Sequence, residues 1–133
     1  MSRKANLVPP SVSKFDHRKQ LSRGDIMVGE HGLLVSFGWS KTYQIGKRNV
    51  LIPLLRLENS VLCPVTAYSK LIELVPCEDY LPAFSYHLKP KLQCLTSFPF
   101  VNILRSVLRK AGFPAEKYTG HSFRQGGATF AFK

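Results

Sequence analysis

The sequence predicts an α+β domain that is mainly helical and carries a small three-stranded antiparallel sheet. Residues 25–54 hold three short runs rich in Val, Ile, Leu and aromatic residues, separated by turn residues. After residue 63 the apolar positions follow a helical period instead. A chain of 133 residues with 44% hydrophobic and 20% charged residues has the size and composition of one globular domain with a modest core.

The N-terminal part is predicted to contain a short helix followed by the sheet. The segment "SRKANLV" is helical in character, and Pro9-Pro10 must end that helix because proline lacks a backbone N–H. The runs "DIMV", "GLLVSFGW" and "NVLIPL" follow, with turn residues at Gly29–Gly32 and Gly46–Asn49 between them. We therefore predict three antiparallel strands.

Three further helices are predicted in the C-terminal part. The first lies in "CPVTAYSKLIELVP", where Pro64 stands near the first helical position and Pro76 ends the helix. The second lies in "SFPFVNILRSVLRKAG", which has one apolar stripe and Gly112 as its C-terminal cap. The third begins in "GHSFRQGGATFAFK", after a turn around Pro114. Residues 76–96 hold three prolines and little periodicity, which predicts an irregular excursion with a short extended piece at "PAFSY".

The charge balance favours a polyanionic partner. Nineteen Lys and Arg against eight Asp and Glu give a formal net charge of +11. Because each neutralised phosphate releases condensed counterions, nucleic acid is the partner that such a surplus fits best. A soluble protein that merely happens to be basic is the alternative. The positive residues are spread along the chain, which favours a folded basic surface. They include Arg3, Lys4, Lys14, Arg18, Lys19 and Arg23 near the N-terminus, and Arg105, Arg109 and Lys110 in the second of these helices.

Several function classes are disfavoured by what the sequence lacks. Cys63, Cys77 and Cys94 form no C-x-x-C pair, which is neither a zinc pattern nor a disulfide framework and favours a reducing compartment. No apolar run reaches the length of a membrane span, and no signal-peptide pattern follows Met1. We therefore expect a soluble intracellular protein with no membrane partner, no metal and no cofactor.

The most informative stretch is "TGHSFRQGGATFAFK", in which His121 and Arg124 stand three residues apart. On a helix such residues share a face, and a guanidinium fork matches two phosphate oxygens while an imidazole can give or take a proton. H-x-x-R alone is a weak motif, and a helix-terminal His beside a solvated Arg is the alternative. Gly126 and Gly127 each cost a helix about 1 kcal/mol relative to Ala. Two of them suggest that another backbone, from a partner helix or DNA, approaches closely there.

The segment "TGHSFRQGGATFAF" resembles the H-x-x-R box of the tyrosine recombinases, the phage-integrase family, and most of all the versions encoded by eukaryotic mobile elements of the DIRS and Ngaro type. The likeness continues upstream over nearly the whole chain. "SRKANLVPPSVSKFD" and "LSRGDI" are similar to the segment with the family's first catalytic arginine, and "VSFGWSKTYQIGKRNVLIPL" to its β-hairpin with the catalytic lysine. "CPVTAYSKLIEL" is similar to the helix after the sheet.

The resemblance implies that residues 1–133 are a partial recombinase catalytic domain, a mainly helical core incomplete at both ends. It implies that Arg3 is the first catalytic arginine, that Lys41 is the hairpin lysine, and that His121 and Arg124 are the H-x-x-R pair. Lys47, in the same hairpin loop, is a rival for the lysine role. Such a set would hold a phosphodiester and stabilise the extra charge of a pentacoordinate phosphorus without a metal.

The same resemblance implies double-stranded DNA as the partner and no small-molecule substrate. Complete family members act as tetramers on paired sites, so a homo-oligomer on DNA is expected, and a nuclear location if the host is eukaryotic. The family usually has an acidic residue where Asn6 stands here, which suggests a weaker hold on the first arginine.

The chain departs from a complete enzyme in one decisive respect. The family's nucleophilic tyrosine follows the H-x-x-R helix, whereas all five tyrosines of this chain precede His121. We therefore predict a fragment that is inactive alone and exposes apolar surface where further helices would pack. Three hypotheses stay open: a recombinase catalytic domain seen in part, a DNA-binding module that has lost catalysis, and a non-functional mobile-element remnant.

Overall fold

The computed structural model describes residues 4–38 and 49–131, and within these ranges the chain forms helices and two small antiparallel sheets. This mixture confirms the predicted α+β class. The helices are α1 (Lys4–Leu7), α2 (Pro64–Leu74), α3 (Ser97–Lys110) and α4 (Gly120–Ala131), and the strands are β1 (Ile26–Val28), β2 (Gly32–Phe37), β3 (Val50–Leu55), β4 (Ser85–Leu88) and β5 (Lys91–Cys94). Short 3-10 turns occupy Val12–Lys14, Arg23–Asp25 and Ala115–Lys117.

The first sheet has the predicted three antiparallel strands, in the order β1-β2-β3. Val35 in the central strand stands opposite Ile26 on one side and Ile52 on the other. Because side chains alternate between the faces of a strand, these three residues point to the same side of the sheet. The predicted turn at Gly46–Asn49 lies outside the described residues except for Asn49.

A close contact between β2 and β3 requires glycine at position 32. Gly32 pairs with Leu55, and a Cβ atom built on Gly32 would clash with the Leu54 carbonyl oxygen. That carbonyl belongs to the backbone of the neighbouring strand, so it cannot move without displacing the strand. Gly32 therefore permits the spacing of the two strands.

Helix α2 packs on the sheet and completes the core. Pro64 takes an early helical position, as predicted, and Val65 and Tyr68 in the helix and Val75 directly after it are buried. The helical period of the apolar residues therefore indicates both the helix and the face of it that packs against the core. The buried core cluster consists of Leu21, Ile26, Leu33, Val35, Cys63, Val65, Tyr68 and Ala83.

Cys63 lies immediately before α2 and is 2% exposed. Its Sγ accepts a hydrogen bond from the Leu57 backbone N–H at 3.4 Å. The nearby hydroxyl and backbone N–H of Thr66 lower the pKa of Cys63 to about 7, since donors beside the sulfur favour the thiolate.

The prediction of an irregular excursion over residues 76–96 was wrong, because β4 and β5 form a hairpin there. Ser85 stands opposite Cys94, and Leu88 opposite Lys91, with Lys89 and Pro90 as the connection. The connection of this hairpin has no Gly or Asn, which are the usual hairpin signals. Only the expected extended piece at "PAFSY" is partly confirmed, since β4 begins at Ser85.

Helix α3 has the predicted bounds but not a buried face. It ends before Gly112, whose φ of +80° is the left-handed conformation predicted for the cap. However, none of its residues is buried. The apolar stripe includes Phe100 and Leu104, which are only half-buried and line a cavity, while Val107 is 59% exposed. In the described ranges, no helix has the length and apolar character needed to cross a membrane.

Candidate nucleic-acid interface

The first turn of α4 is fixed by a reciprocal pair of hydrogen bonds. The His121 backbone N–H donates to Thr119 Oγ1 at 3.2 Å, and the Thr119 backbone N–H donates to Ser122 Oγ at 3.1 Å. Each side chain thus satisfies a backbone donor that the start of a helix leaves free. This cap holds the backbone of His121 in place. The signal for it, Thr followed three residues later by Ser, is present in "TGHS" but was not used in the sequence prediction.

His121 and Arg124 lie on α4 three residues apart, as predicted, so both project toward one side of the helix. His121 is exposed and Arg124 is half-buried. The two side chains therefore differ in environment: the imidazole is open to solvent, whereas part of the Arg124 side chain lies along a cavity wall. Long basic side chains commonly bury their stem while the charged end reaches water.

The N-terminal helix comes close to the same face of α4. A Cβ atom built on Gly120 would lie 3.6 Å from Lys4 Cδ and 3.7 Å from Lys4 Cβ, so the Lys4 stem packs against the start of α4. Gly120 and Arg124 are one helical turn apart, and Lys4 and Arg124 both line the same cavity. Lys4 therefore joins the predicted pair. Sequence reasoning missed it because nothing local links residue 4 to residue 120.

The other two predicted site residues, Arg3 and Lys41, lie outside the described residues, as does the rival Lys47. Their neighbours are described. Arg3 directly precedes Lys4, and Lys41 belongs to the chain between β2 and β3, whose ends Phe37 and Val50 are paired.

Asn6, in the position where the resemblance implies an acidic residue, is 7% exposed. Its backbone carbonyl accepts a hydrogen bond from the Leu21 N–H at 3.0 Å. One residue earlier, the Ala5 carbonyl accepts a hydrogen bond from Gln20 Nε2 at 3.1 Å. These bonds attach α1 to the segment that leads into the sheet, so the chain next to Arg3 has a fixed place in the fold.

Arg23 does not belong to the predicted basic surface, because it is only 6% exposed. Its guanidinium lies 5.9 Å from the centre of the Tyr68 ring. Within the described part of the chain none of its three nitrogens has a hydrogen-bond partner. Burial raises the pKa of Tyr68, and the nearby charge of Arg23 opposes that shift. The Tyr68 hydroxyl donates a hydrogen bond to the Arg23 backbone carbonyl at 3.4 Å, not to the guanidinium. A charge count from sequence cannot distinguish such a buried cation from an exposed one.

Some of the remaining cations are paired with carboxylates. Asp16 lies 3.6 Å from Arg18 Nε and 3.5 Å from Lys19 Nζ, and Glu116 lies 2.8 Å from the Arg109 guanidinium. The pKa of Asp16 is lowered, chiefly by the hydrogen bond from the Arg18 backbone, and that of Glu116 is lowered chiefly by the Arg109 side chain. All three pairs are exposed and therefore weak. They leave Arg18, Lys19 and Arg109 available to exchange a carboxylate for a phosphate.

A cavity of about 750 Å³ opens between the sheet and the two C-terminal helices. Its lining comes from the helices α1, α2, α3 and α4 and from the strands β1, β2 and β3. Among the described residues, no cluster of His, Cys, Asp and Glu could hold a metal ion. Comparison with protein-family models, with curated proteins and with solved structures finds no match to this chain.

Proposed function

We propose that this chain binds double-stranded DNA through its phosphate backbone, as a domain of the tyrosine-recombinase type, with Arg3, Lys41, His121 and Arg124 as the phosphate-contacting set. The observation that carries the proposal is the capped start of α4, which presents an exposed imidazole and a guanidinium on one side of the helix. The net charge of +11 supplies the long-range attraction to a polyanion.

The position of Lys4 supports the inclusion of Arg3. Lys4 packs against Gly120, which directly precedes His121. The chain neighbour of Arg3 is therefore in contact with the helix that carries His121 and Arg124. Two arginines and a histidine around one phosphate would give it fixed, charge-assisted hydrogen bonds.

Binding, rather than strand cleavage, is the activity proposed for this stretch of chain. A phosphate clamp holds and polarises a phosphodiester, but breaking the bond requires an attacking group, which in the resembled family is a tyrosine that follows the clamp helix. Tyr118, the last of the five tyrosines here, precedes His121. The proposal therefore covers the DNA-binding step that catalytic and non-catalytic domains share.

The test is fluorescence anisotropy with a labelled duplex at several salt concentrations. We expect binding whose affinity falls steeply with salt, and Arg124→Ala should weaken it about tenfold and lower the salt slope by about one. Arg124→Lys is the matched variant, because it keeps the positive charge and removes the guanidinium fork. Its affinity for the duplex should lie between that of the unchanged chain and that of Arg124→Ala. An affinity for the duplex that does not change with salt concentration, or that is the same in Arg124→Ala, would contradict the proposal.

A second experiment separates the catalytic from the non-catalytic hypothesis. A nicked suicide duplex is mixed with this chain and with separate segments that carry a tyrosine. A covalent protein–DNA adduct on the added segment, lost in His121→Ala, would show that the clamp still activates the phosphodiester. DNA binding without any adduct would favour a module that only binds.

A further inference from the structure

The cavity beneath α3 and α4 has the size and lining of a binding site for an apolar chain. Its volume of about 750 Å³ falls within the roughly 300–1,000 Å³ that small-molecule sites occupy. The wall residues are overwhelmingly apolar, among them Leu33, Val35 and Phe37 from the sheet and Phe100 and Leu104 from α3. Water gains no hydrogen bonds from such walls, so an apolar occupant is favoured.

Two cations stand together at one side of this cavity. Lys4 and Arg124 both line it, and Gly120, one turn before Arg124, lies against the Lys4 stem. No acidic residue of the described ranges contributes to the lining. The cavity is thus apolar along most of its wall and positively charged at one side. The occupant that complements both features has an apolar body and a single anionic end.

We propose that the cavity binds a single-chain anionic amphiphile, whose alkyl chain lies between β2 and α3 and whose carboxylate or phosphate head contacts Lys4 and Arg124. The half-buried position of Arg124 fits this arrangement, because part of its side chain borders the apolar wall while its charge can meet the head group.

This inference does not depend on DNA binding, because it rests on the cavity and not on His121. Both proposals use Arg124, however, and one guanidinium cannot hold a lipid head group and a DNA phosphate at once. Where both activities are present, the amphiphile should therefore compete with the duplex. Amphiphile binding is measured without DNA, so failure of either proposal is seen separately.

The experiment is isothermal titration calorimetry of the whole chain with decanoate and with decyl phosphate, both below their micellar concentrations. We expect saturable binding of one amphiphile per chain. Affinity should rise about fourfold for each methylene added from octanoate to dodecanoate. The uncharged match, 1-decanol, should bind about tenfold more weakly than the better of the two anions. The anion that binds with the higher affinity shows whether the site prefers a carboxylate or a phosphate head group.

Two variants locate the site, each with a matched control. Leu104→Trp should narrow the cavity beside the alkyl chain and weaken binding, whereas Val107→Trp, on the exposed side of α3, should not change it. Arg124→Gln should weaken anion binding about tenfold and leave 1-decanol unaffected, whereas Lys110→Gln, outside the lining, should have no effect. Absence of one-to-one binding, equal affinity for decanoate and 1-decanol, or full binding by Leu104→Trp would each overturn the proposal.

Discussion

The sheet side of the molecule, made of β1–β3 and α2, differs from the helical side, made of α3 and α4, in how its apolar residues are used. On the sheet side Val65 is completely buried and Leu33 and Val35 are each 5% exposed, although no residue of the edge strand β3 is buried. Helix α3 has a regular apolar stripe of its own, yet not one of its residues is buried. An apolar stripe therefore predicts a helix, but it predicts burial only where a second apolar surface meets it. The free energy of folding should accordingly come mostly from the sheet side.

The largest effect is expected from Gly32→Ala on the sheet side. The new Cβ would meet the Leu54 carbonyl oxygen, so β3 would have to move away from β2. We expect a loss of about 3 kcal/mol in the free energy of unfolding, measured by urea denaturation. Gly29→Ala is the control, because a Cβ there would meet its nearest atom, the Gly32 carbonyl oxygen, at an ordinary 3.5 Å. Equal stability of the two variants would contradict the close approach of the strands.

The matched pair Val65→Ala and Val107→Ala tests the comparison directly. Val65 is 0% exposed in α2, and Val107 is 59% exposed in α3. Removing two methyl groups from the packed core should cost about 2 kcal/mol in the free energy of unfolding. The same change at Val107 should be close to neutral, because little apolar surface is lost and alanine favours a helix. Similar costs in chemical denaturation would mean that the helical side is as well packed as the sheet side.

Arg23→Met should stabilise the sheet side. The guanidinium is buried without a hydrogen-bond partner in the described ranges, so its desolvation is offset only by the nearby Tyr68 ring. Methionine keeps much of the volume and removes the charge, and we expect a gain of about 1–2 kcal/mol in the free energy of unfolding. Arg18→Met, whose side chain is 81% exposed, serves as the control and should leave the melting temperature unchanged. A lower stability of Arg23→Met would show that the buried guanidinium contributes net stability to the fold.

Gly126→Ala should stabilise the helical side without repacking. A Cβ at this position would have open space within 4 Å, and alanine is favoured over glycine in a helix by about 1 kcal/mol. We expect a rise of that size in the free energy of unfolding. The predicted close approach of another backbone at Gly126 does not come from the described part of this chain. If DNA is what approaches there, the variant should bind a duplex more weakly while melting at a higher temperature.

The last prediction concerns pH. Hydrogen bonds in the folded chain lower the pKa of Cys63 to about 7 from 9.0, so folding favours the thiolate. The unfolded chain then binds more protons than the folded one between these two values, and stability should rise as pH increases from 7 to 9. This contribution should be lost again as pH falls through 7. Cys63→Ser retains an acceptor at the start of α2 but does not titrate, so its urea midpoint should lack this rise.

Local signals in the sequence predicted much of the fold. The apolar run "GLLVSF", the early proline of α2 and Gly112 after α3 each act over a few residues, and each of these elements is present. Contacts between distant segments were not predictable in the same way. The burial of Arg23 under Tyr68 and the packing of Lys4 on Gly120 join residues far apart in the chain. For the candidate site, the sequence placed His121 and Arg124 on one helix, whereas the role of Lys4 emerged only from the structure.

Two buried free thiols give this chain reporters of local opening, one in the sheet-side core and one in the β4–β5 hairpin. Cys63 is buried in the sheet-side core, and Cys94 is buried at the end of β5, three residues before α3 begins. A thiol reagent can reach either sulfur only when the surrounding structure opens, so the labelling rate of each cysteine measures the opening free energy of its own surroundings. If the β4–β5 hairpin opens independently of the sheet-side core, Cys94 will be labelled many times faster than Cys63 under conditions in which the whole chain remains folded.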